Sequence, residues 1–341
     1  MFSDKNIIGL DIGSESIKIV EIAHHEGQKE LLTYGIAKHT VPLDGYWDSN
    51  RLRKLSTIIE DILDTGNFKG VKTVMGIQSK DVYVATMDFE EGWDKEAIQI
   101  EIDKQSSYFL PYPPDEMRLS WNLINDDARI VTYTGKQRVI VNALPDFVIE
   151  NSKNLLEHLN LDGAALENQT RSQIRSTLEP DTDKTILVDI GDKYTTLSII
   201  VDGTLRSSMH INFGVQKIEQ DLAVSLGIDG ESAHNFKKDL GLVNLYQISP
   251  QIMDTLKILK NEMTTFVDLN KKIAQDPNKI VITGGAVHTP GLYEYFRDFQ
   301  VPVFIANPLR NIAVSQALLP YVAPAGNQLS TAIGLALRSD I

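Results

Sequence analysis

One short pattern occurs twice in this chain, about half the chain length apart. Residues 7–13 read IIGLDIG and residues 185–191 read TILVDIG, and each is followed by a polar turn and a second apolar stretch. The aspartates of the two copies, Asp11 and Asp189, are 178 residues apart. A β-branched run, a turn with Asp-x-Gly and another apolar run predict a hairpin. Two such hairpins at this spacing predict two related lobes rather than a short-period solenoid.

The composition excludes several classes of function. Of the 341 residues, 42% are hydrophobic and 23% are charged, which is typical of a soluble globular protein. The net charge of −13 argues against a general nucleic-acid binder and against direct binding to an anionic membrane. The sequence has no cysteine, no run of 18 apolar residues and no signal-peptide core. We therefore expect a cytoplasmic protein.

Helical and strand patterns alternate around the two hairpins. The spacing of apolar residues predicts helices over residues 51–63, 95–108 and 166–178. A strand is predicted over residues 130–134, inside a meander. The polar, proline-containing residues 179–183 predict a linker between the lobes.

The two Asp-x-Gly turns predict a phosphate site. Asp11 and Asp189 each end an apolar strand near a glycine, Gly13 or Gly191, where the backbone can approach a ligand closely. Two facing turns would clamp a polyphosphate through backbone N–H groups and hydroxyls. The candidate hydroxyls are those of Ser14, Ser16, Thr195 and Thr196. The two carboxylates would hold Mg²⁺ through its waters, and Lys18 would add a positive charge. Alternatively, Asp-x-Gly is ordinary hairpin-turn chemistry, an explanation that suits one copy better than two.

A third motif, ITGGAVHTPGL, covers residues 282–292. The paired glycines Gly284 and Gly285 allow flat backbone contact with a planar base or an α-phosphate. Thr289 is suited to a helix N-cap and Pro290 to the first helical position. The alternative is a glycine-rich strand-to-helix connection without a ligand.

In this order and spacing, the three motifs resemble the phosphate-1, phosphate-2 and adenosine motifs of the actin-like ATPase superfamily. Residues 9–18, GLDIGSESIK, and the YFLPYP loop at 108–113 resemble the PilM family of type IV pilus assembly proteins, relatives of the division protein FtsA. The resemblance covers nearly the whole chain. It implies an α/β, actin-like (duplicated ribonuclease H-like) fold of two lobes with a small inserted α+β domain.

The resemblance also implies domain boundaries. The first lobe is expected from residues 1–75 and 146–182, and the C-terminal segment 326–341 returns to it. Residues 76–145 are expected to form the inserted domain, and residues 183–325 the second lobe.

The same resemblance implies ATP and Mg²⁺ as ligands and adds two site residues. Glu167 resembles the residue that positions the attacking water, although Asn168 replaces the usual proline after it. Lys237 resembles a nucleotide-contacting lysine, and His234 stands where the family usually has an acidic residue.

The function implied by the resemblance is that of an ATP-binding, at most slowly hydrolysing, cytoplasmic component of the pilus platform. Its expected partner is the cytoplasmic N-terminal tail of a PilN-like membrane protein, held between the first lobe and the inserted domain. Other platform proteins and a homo-oligomer or ring are further expectations, with membrane contact only through partners. The alternatives are a small-molecule (sugar) kinase and an FtsA-like filament protein. A kinase needs a further aspartate base, and a membrane-bound filament protein needs an amphipathic tail. We find neither signal in the sequence.

Overall fold

The architecture comes from a computed structural model that describes residues 5–123, 136–179, 184–248, 250–270, 277–297, 299 and 301–341. The strands are β1 Lys5–Ile12, β2 Ser16–His25, β3 Gln28–Lys38, β4 Lys72–Ile77, β5 Tyr83–Glu90, β6 Met117–Leu123, β7 Lys136–Pro145, β8 Asp162–Asn168, β9 Thr185–Ile190, β10 Thr195–Val201, β11 Thr204–Ile211, β12 Lys279–Thr283, β13 Val303–Ile305 and β14 Ala313–Val314. The α-helices are α1 Ser49–Thr65, α2 Lys95–Phe109, α3 Asp146–His158, α4 Gln169–Thr177, α5 Val215–Leu226, α6 Gly230–Ile248, α7 Pro250–Leu269, α8 Leu292–Phe296, α9 Leu319–Val322 and α10 Ser330–Ala336.

The first sheet has the strand order β14-β3-β2-β1-β4-β8. Strands β1, β2 and β3 form antiparallel hairpins, whereas β4 and β8 run parallel to β1 and β14 runs parallel to β3. Both faces of the central strands are buried: Leu10 packs toward Leu55 of α1 and Leu155 of α3, and Val20 packs in a separate cluster with Ile333 of α10. The continuous apolar pattern of these strands reflects this burial on two sides.

The C-terminal helix α10 packs against the first sheet and α4 at two glycines. A Cβ at Gly9 of β1 would overlap the carbonyl oxygen of Ala332, and a Cβ at Gly334 would overlap that of Ser172 in α4. Such close backbone contacts leave no room for any side chain. The end of the chain is therefore held against the elements formed by its beginning.

The inserted segment forms a separate sheet, ordered β5-β7-β6, covered on one face by α2. Phe89, Val139 and Val141 from the sheet pack with Ile98 and Ile102 from the helix. α2 ends at Phe109, ahead of Pro111, as its periodicity predicts. The strand predicted over residues 130–134 lies outside the described residues.

The second sheet has the order β11-β10-β9-β12-β13. One face packs on helices α5 to α8 through the largest apolar cluster of the described residues, which includes Val188, Leu222 and Phe296. On the other face, Leu187 and Val281 pack with Leu178 and Ile174, at the end of α4. α4 thus lies between the two sheets.

The strand pairing differs from two of the expected domain boundaries. β4 stays in the first sheet through Gly76 and Ile77, which pair with Glu167 and Asn168, so the inserted segment begins after 77 rather than at 76. β14 pairs with β3 of the first sheet, although its residues fall within the range 183–325. Most of the expected linker, residues 180–183, lies outside the described residues.

The helix predicted over residues 166–178 begins later than predicted. Leu166, Glu167 and Asn168 continue strand β8, and α4 begins at Gln169. The Asn168 side chain accepts a hydrogen bond from the Thr170 N–H at 2.7 Å, which is the geometry of an N-cap. This capping residue ends the strand and starts the helix, three residues beyond the predicted start.

Candidate functional site

The two repeated turns have the same local geometry. The Gly13 N–H donates to the Ser16 carbonyl oxygen at 3.0 Å, and the Gly191 N–H donates to the Tyr194 carbonyl oxygen, also at 3.0 Å. Each turn joins the ends of two neighbouring antiparallel strands of a sheet. The repeat in the sequence therefore corresponds to a repeat in backbone structure.

In both sheets, the strand register places the aspartate of the turn directly opposite a residue of the neighbouring strand. In the first sheet Asp11 lies opposite Lys18, and the Lys18 Nζ is 3.7 Å from Asp11 Oδ2. In the second sheet Asp189 lies opposite Thr196, which lies opposite His210 on the next strand. Each carboxylate consequently has a polar neighbour on the adjacent strand, a cation in one lobe and a hydroxyl in the other.

Both turns line one large cavity between the lobes, with a volume of about 1180 Å³. The motif around Gly284 and Gly285 and the N-terminal end of α6 line the same cavity. The structure therefore brings together most of the predicted site residues, namely Asp11, Gly13, Ser14, Ser16, Lys18, Asp189, Gly191, Lys237, Gly284 and Gly285.

Helix α4 contacts both carboxylates through two glutamines one turn apart. Gln169 Nε2 donates to Asp11 Oδ1 at 2.6 Å, and Gln173 Nε2 donates to Asp189 Oδ2 at 2.8 Å. Residues four apart lie on the same face of a helix, so one helix face holds an aspartate from each lobe. Gln173 Nε2 also donates to Thr331 Oγ1 of α10 at 3.0 Å.

The electrostatics at Asp189 favour a cation. Burial raises the pKa of this carboxyl, and the nearby negative charge of Asp11 raises it further, against the lowering effect of the Gln173 amide. A divalent cation between the two carboxylates would oppose both of the raising effects. No group of three or more His, Asp or Glu side chains within the described ranges could form a closed metal cage. A hydrated Mg²⁺, which keeps several of its waters, fits this sparse set of ligands.

Two further features fit a bound phosphate chain. Ser16 lines the cavity, and its buried Oγ has no hydrogen-bond partner among the described residues. Gly284 has a φ of +95°, and a Cβ there would overlap Asp189 Oδ1 and the Ile190 carbonyl. A side chain at Gly13 would come within 2.9 Å of the Lys18 Nζ. The cavity wall therefore has bare backbone where the three motifs meet.

Lys237 occurs in a small charged cluster on the cavity wall. Its Nζ donates to Glu219 Oε1 at 2.7 Å, and His234 Nδ1 lies 2.8 Å from the same oxygen. Burial acts to raise the pKa of Glu219, but its contacts with Lys237 and His234 outweigh burial and lower it. An acidic side chain, that of Glu219 in α5, thus lies next to His234, which stands where the family usually has an acidic residue.

Two predicted site residues do not line the cavity in the described part of the chain. The Thr195 hydroxyl is fully buried and donates to the Phe213 carbonyl at 2.8 Å, whereas its neighbour Thr196 lines the cavity. Glu167 accepts two hydrogen bonds from Arg175, at 2.7 and 2.9 Å. Arg175 in turn donates to the Gly334 carbonyl at 2.6 Å. Glu167 belongs to strand β8, and neighbouring side chains of a strand point to opposite faces. Its side chain therefore lies on the face that does not line the cavity.

Sequence reasoning missed Gln169, Gln173, Glu219 and His39. His39 supports the first turn: its Nε2 bonds with the Gly13 carbonyl at 2.8 Å, and its Nδ1 accepts from the Val41 N–H. The signal that could have revealed the glutamines is their spacing of four in a predicted helix. Nothing in the sequence indicates His39 or Glu219, which reach the site through tertiary packing.

The sheets, the duplicated turns and the interlobe cavity define a protein with the actin-like ATPase fold. A family model described as type IV pilus assembly protein PilM matches residues 9–340. Because this match covers nearly the entire chain, the protein belongs to the PilM family.

Comparisons with individual proteins agree with the fold. The fold is similar to that in the PilM-PilN type IV pilus biogenesis complex, with a TM-score of 0.83 at 19% identity over 97% of this chain and 98% of that chain. It is also similar to MreB 5 of Spiroplasma citri bound to AMPPNP, with a TM-score of 0.52 at 14% identity over 97% of this chain and 94% of that chain. The cell division protein FtsA of Bacillus subtilis (strain 168) is 26% identical over 146 residues, 36% of this chain and 33% of FtsA. The chain thus matches about a third of the length of that relative. No helix within the described residues is long and apolar enough to cross a membrane.

Proposed function

We propose that this protein is an ATP-binding assembly component of a type IV pilus platform. In this proposal Mg²⁺-ATP binds between the lobes and favours their closure. The closed form binds the cytoplasmic N-terminal tail of a PilN-like membrane protein, which supplies attachment to the membrane. We infer a cytoplasmic location and very slow hydrolysis at most.

The observation that carries the nucleotide proposal is the pairing of the two turns around one cavity. Asp11 and Asp189 would hold the waters of the metal, and Lys18 and the unpartnered Ser16 hydroxyl would contact phosphate oxygens. Gly284 and Gly285 would lie against the adenosine. When bound, Mg²⁺ would offset the negative charge of the phosphates. MreB 5 of Spiroplasma citri, which has a similar fold, is bound to AMPPNP, and this supports a nucleotide as the ligand.

The tail-binding proposal is supported by exposed aromatic rings where the first lobe meets the inserted segment. The Phe147 ring of α3 contacts Tyr46 and Tyr112, with centroids 5.8 and 6.0 Å apart. Tyr112 also contacts Tyr83 of β5 at 6.4 Å. Tyr46 is 63% exposed and Tyr112 is 39% exposed, so these aromatic rings offer apolar contact area to a peptide. PilN in the similar complex supports this class of partner.

The nucleotide proposal is tested by calorimetric titration with Mg²⁺-AMPPNP. We expect Asp189→Asn to weaken binding at least about tenfold, equivalent to about 1.4 kcal/mol, because the metal waters lose a charged acceptor. Asp202→Asn is the matched control, since Asp202 is exposed in a β10–β11 turn with a φ of 50° that asparagine also tolerates. Equal affinity in the wild type and Asp189→Asn would contradict the proposed site.

The tail proposal is tested with a synthetic peptide of the N-terminal tail of the PilN-like protein from the same genome. Tyr112→Ala is expected to weaken binding, and Phe304→Ala, which truncates an aromatic ring 52% exposed on β13, is the control. If AMPPNP tightens the peptide, the peptide must tighten AMPPNP by the same factor. Peptide affinity that is identical with and without nucleotide would contradict the switch. Production of ADP from ATP that is stimulated by a sugar would support a kinase instead.

A further inference from the structure

The sheet of the inserted segment has two edges that differ in charge. Its strand order is β5-β7-β6, so within the described residues β5 and β6 each pair with one strand only. An edge strand presents unpaired N–H and C=O groups, to which an extended chain can add as a further strand. β5 contains Asp88 and Glu90, whereas β6, MRLSWNL, contains Arg118 and no acidic residue. The β5 edge is therefore the one suited to a basic strand.

A groove runs along the β5 edge. It has a volume of about 350 Å³ and is lined by the consecutive residues 86–90 of β5, together with Trp93, Glu101 and Gln105. Because successive side chains of a strand point to opposite faces, consecutive residues line one cavity only where it follows the edge of the strand. Glu101 and Gln105 lie one turn apart on α2, and Gln105 Nε2 donates to Glu101 Oε1 at 2.7 Å. An edge strand on one side and a helix face on the other can together bind an extended peptide by strand addition.

The floor of the groove is aromatic. The Phe89 side chain is buried and packs with Ile98 and Ile102 of α2. The Phe89 ring centroid is 5.6 Å from that of Trp93, and Trp93 is 38% exposed. A half-exposed indole beside a strand edge offers contact area to one apolar side chain of an added strand.

The lining of the groove is negatively charged. It includes the carboxylates of Asp88, Glu90 and Glu101, and no lysine or arginine among the described residues that line it. Asp88 is paired with Arg138 of β7, at 2.6 and 2.9 Å. Glu90 Oε1 is 3.6 Å from the Lys136 Nζ, and both of these side chains are exposed, so this pair is weak. Carboxylate oxygens therefore remain for a basic partner.

The connection from β5 to α2 adds to the negative charge. Residues 90–96, EEGWDKE, contain four acidic residues and one lysine. Like charges that face each other across paired strands are destabilising, so the β5 edges of two copies of this chain would repel each other. A segment that carries lysine or arginine would instead be attracted to this edge.

We propose that the groove between β5 and α2 binds a basic, extended segment of another protein. The segment adds to β5 as a further strand and places one apolar side chain against Trp93. This site is separate from the aromatic rings of the proposed tail site, because Tyr83, which contacts Tyr112, lies at the other end of β5. The inference therefore rests neither on nucleotide binding nor on the PilN-like tail.

Fluorescence anisotropy on the full chain tests the chemistry of the partner. The probe is the labelled peptide KVKFKVK, and the two comparison peptides are EVEFEVE, with the charge reversed, and KVKAKVK, without the aromatic ring. We expect KVKFKVK to bind, KVKAKVK to bind more weakly and EVEFEVE not to bind. No binding of KVKFKVK up to about 1 mM, or equal binding of KVKFKVK and EVEFEVE, would overturn the proposal.

Substitutions in the groove test its position. The pair Glu90→Gln and Glu101→Gln should weaken KVKFKVK about fivefold, because two partly exposed charge contacts are lost. The matched control, Glu60→Gln with Asp61→Asn on the exposed face of α1, removes the same charge and should stay within about twofold of the wild type. Trp93→Ala should weaken the probe at least about tenfold. Equal effects of the two charge pairs would show attraction by net charge alone and would overturn the site.

Hydrogen exchange tests the addition of a strand. KVKFKVK should slow amide exchange in residues 83–90 and leave residues 117–123 unchanged. Protection confined to 117–123, or none in either strand, would overturn the proposal, as would protection of 83–90 by dimerisation of the chain without the peptide. Tyr112→Ala, the variant of the tail site, should bind KVKFKVK as the wild type does. A failure of the tail proposal is thereby distinguished from a failure of this one.

Discussion

Exchange of Glu167 for glutamine separates a catalytic role from a structural one. In the structure both carboxylate oxygens of Glu167 accept hydrogen bonds from Arg175, at 2.7 and 2.9 Å. The Glu167 side chain is 8% exposed and that of Arg175 is 31% exposed. Hydrogen bonds to charged groups contribute about 1.5–3 kcal/mol each, against about 0.5–1.5 kcal/mol for neutral ones. Because water reaches part of Arg175, we expect Glu167→Gln to lower the free energy of unfolding by about 2 kcal/mol.

Thermal melting and nucleotide titration together test this prediction. A loss of about 2 kcal/mol corresponds to a melting temperature lower by roughly 4–8 °C. Affinity for Mg²⁺-AMPPNP should stay within about twofold of the wild type, a change below about 0.4 kcal/mol. Glu157→Gln on the exposed face of α3 is the matched control and should change stability by less than about 0.5 kcal/mol. The reasoning is refuted if Glu167→Gln keeps its melting temperature and loses nucleotide binding or any measurable ATP turnover.

Three more predictions follow from the site and its supports. Lys18→Ala should weaken ATP binding about tenfold and leave AMP binding nearly unchanged, because in the proposed site its charge would lie by the outer phosphates; competition titration with ATP, ADP and AMP checks this. Gly334→Ala should cost about 1–3 kcal/mol in chemical denaturation, because its Cβ would overlap the Ser172 carbonyl, whereas Gly230→Ala has open space. Burial lowers the pKa of His39, so the unfolded chain binds more protons and stability should fall between about pH 7.5 and pH 5.5. Denaturation across this range should show a smaller loss in His39→Gln, and an equal loss in both proteins would contradict the role of His39.

The hairpins could be predicted because their information is local. A strand, a glycine-containing turn and a second strand are encoded within about 15 residues, and the repeat gave an internal check. The same holds for Gly284, whose positive φ is a property of a single residue. The paired glycines therefore lie at the position predicted from the sequence, where the three motifs meet.

The start and the buried face of α4 could not be predicted from the sequence in the same way. Its buried face is polar, with Thr170, Ser172, Gln173, Ser176 and Thr177 all below a tenth exposed. Such a helix has no apolar stripe to reveal which side is covered, and its start depends on the Asn168 cap. Glu167, which the family resemblance gives as the water-positioning residue, pairs with Arg175 in the structure. The glutamines, rather than the glutamate, contact the carboxylates.

The two halves of the duplication differ at the residue opposite each aspartate, which is Lys18 in the first lobe and Thr196 in the second. Lys18 gives the first lobe a cation 3.7 Å from Asp11, which suits direct contact with phosphate oxygens. Thr196 gives the second lobe no charge but a hydroxyl that lies 3.1 Å from His210 Nδ1. In the proposed site, the first turn would therefore supply a positive charge to the phosphates and the second turn would supply none. Because α4 donates to Asp11 through Gln169 and to Asp189 through Gln173, one helix connects the two turns.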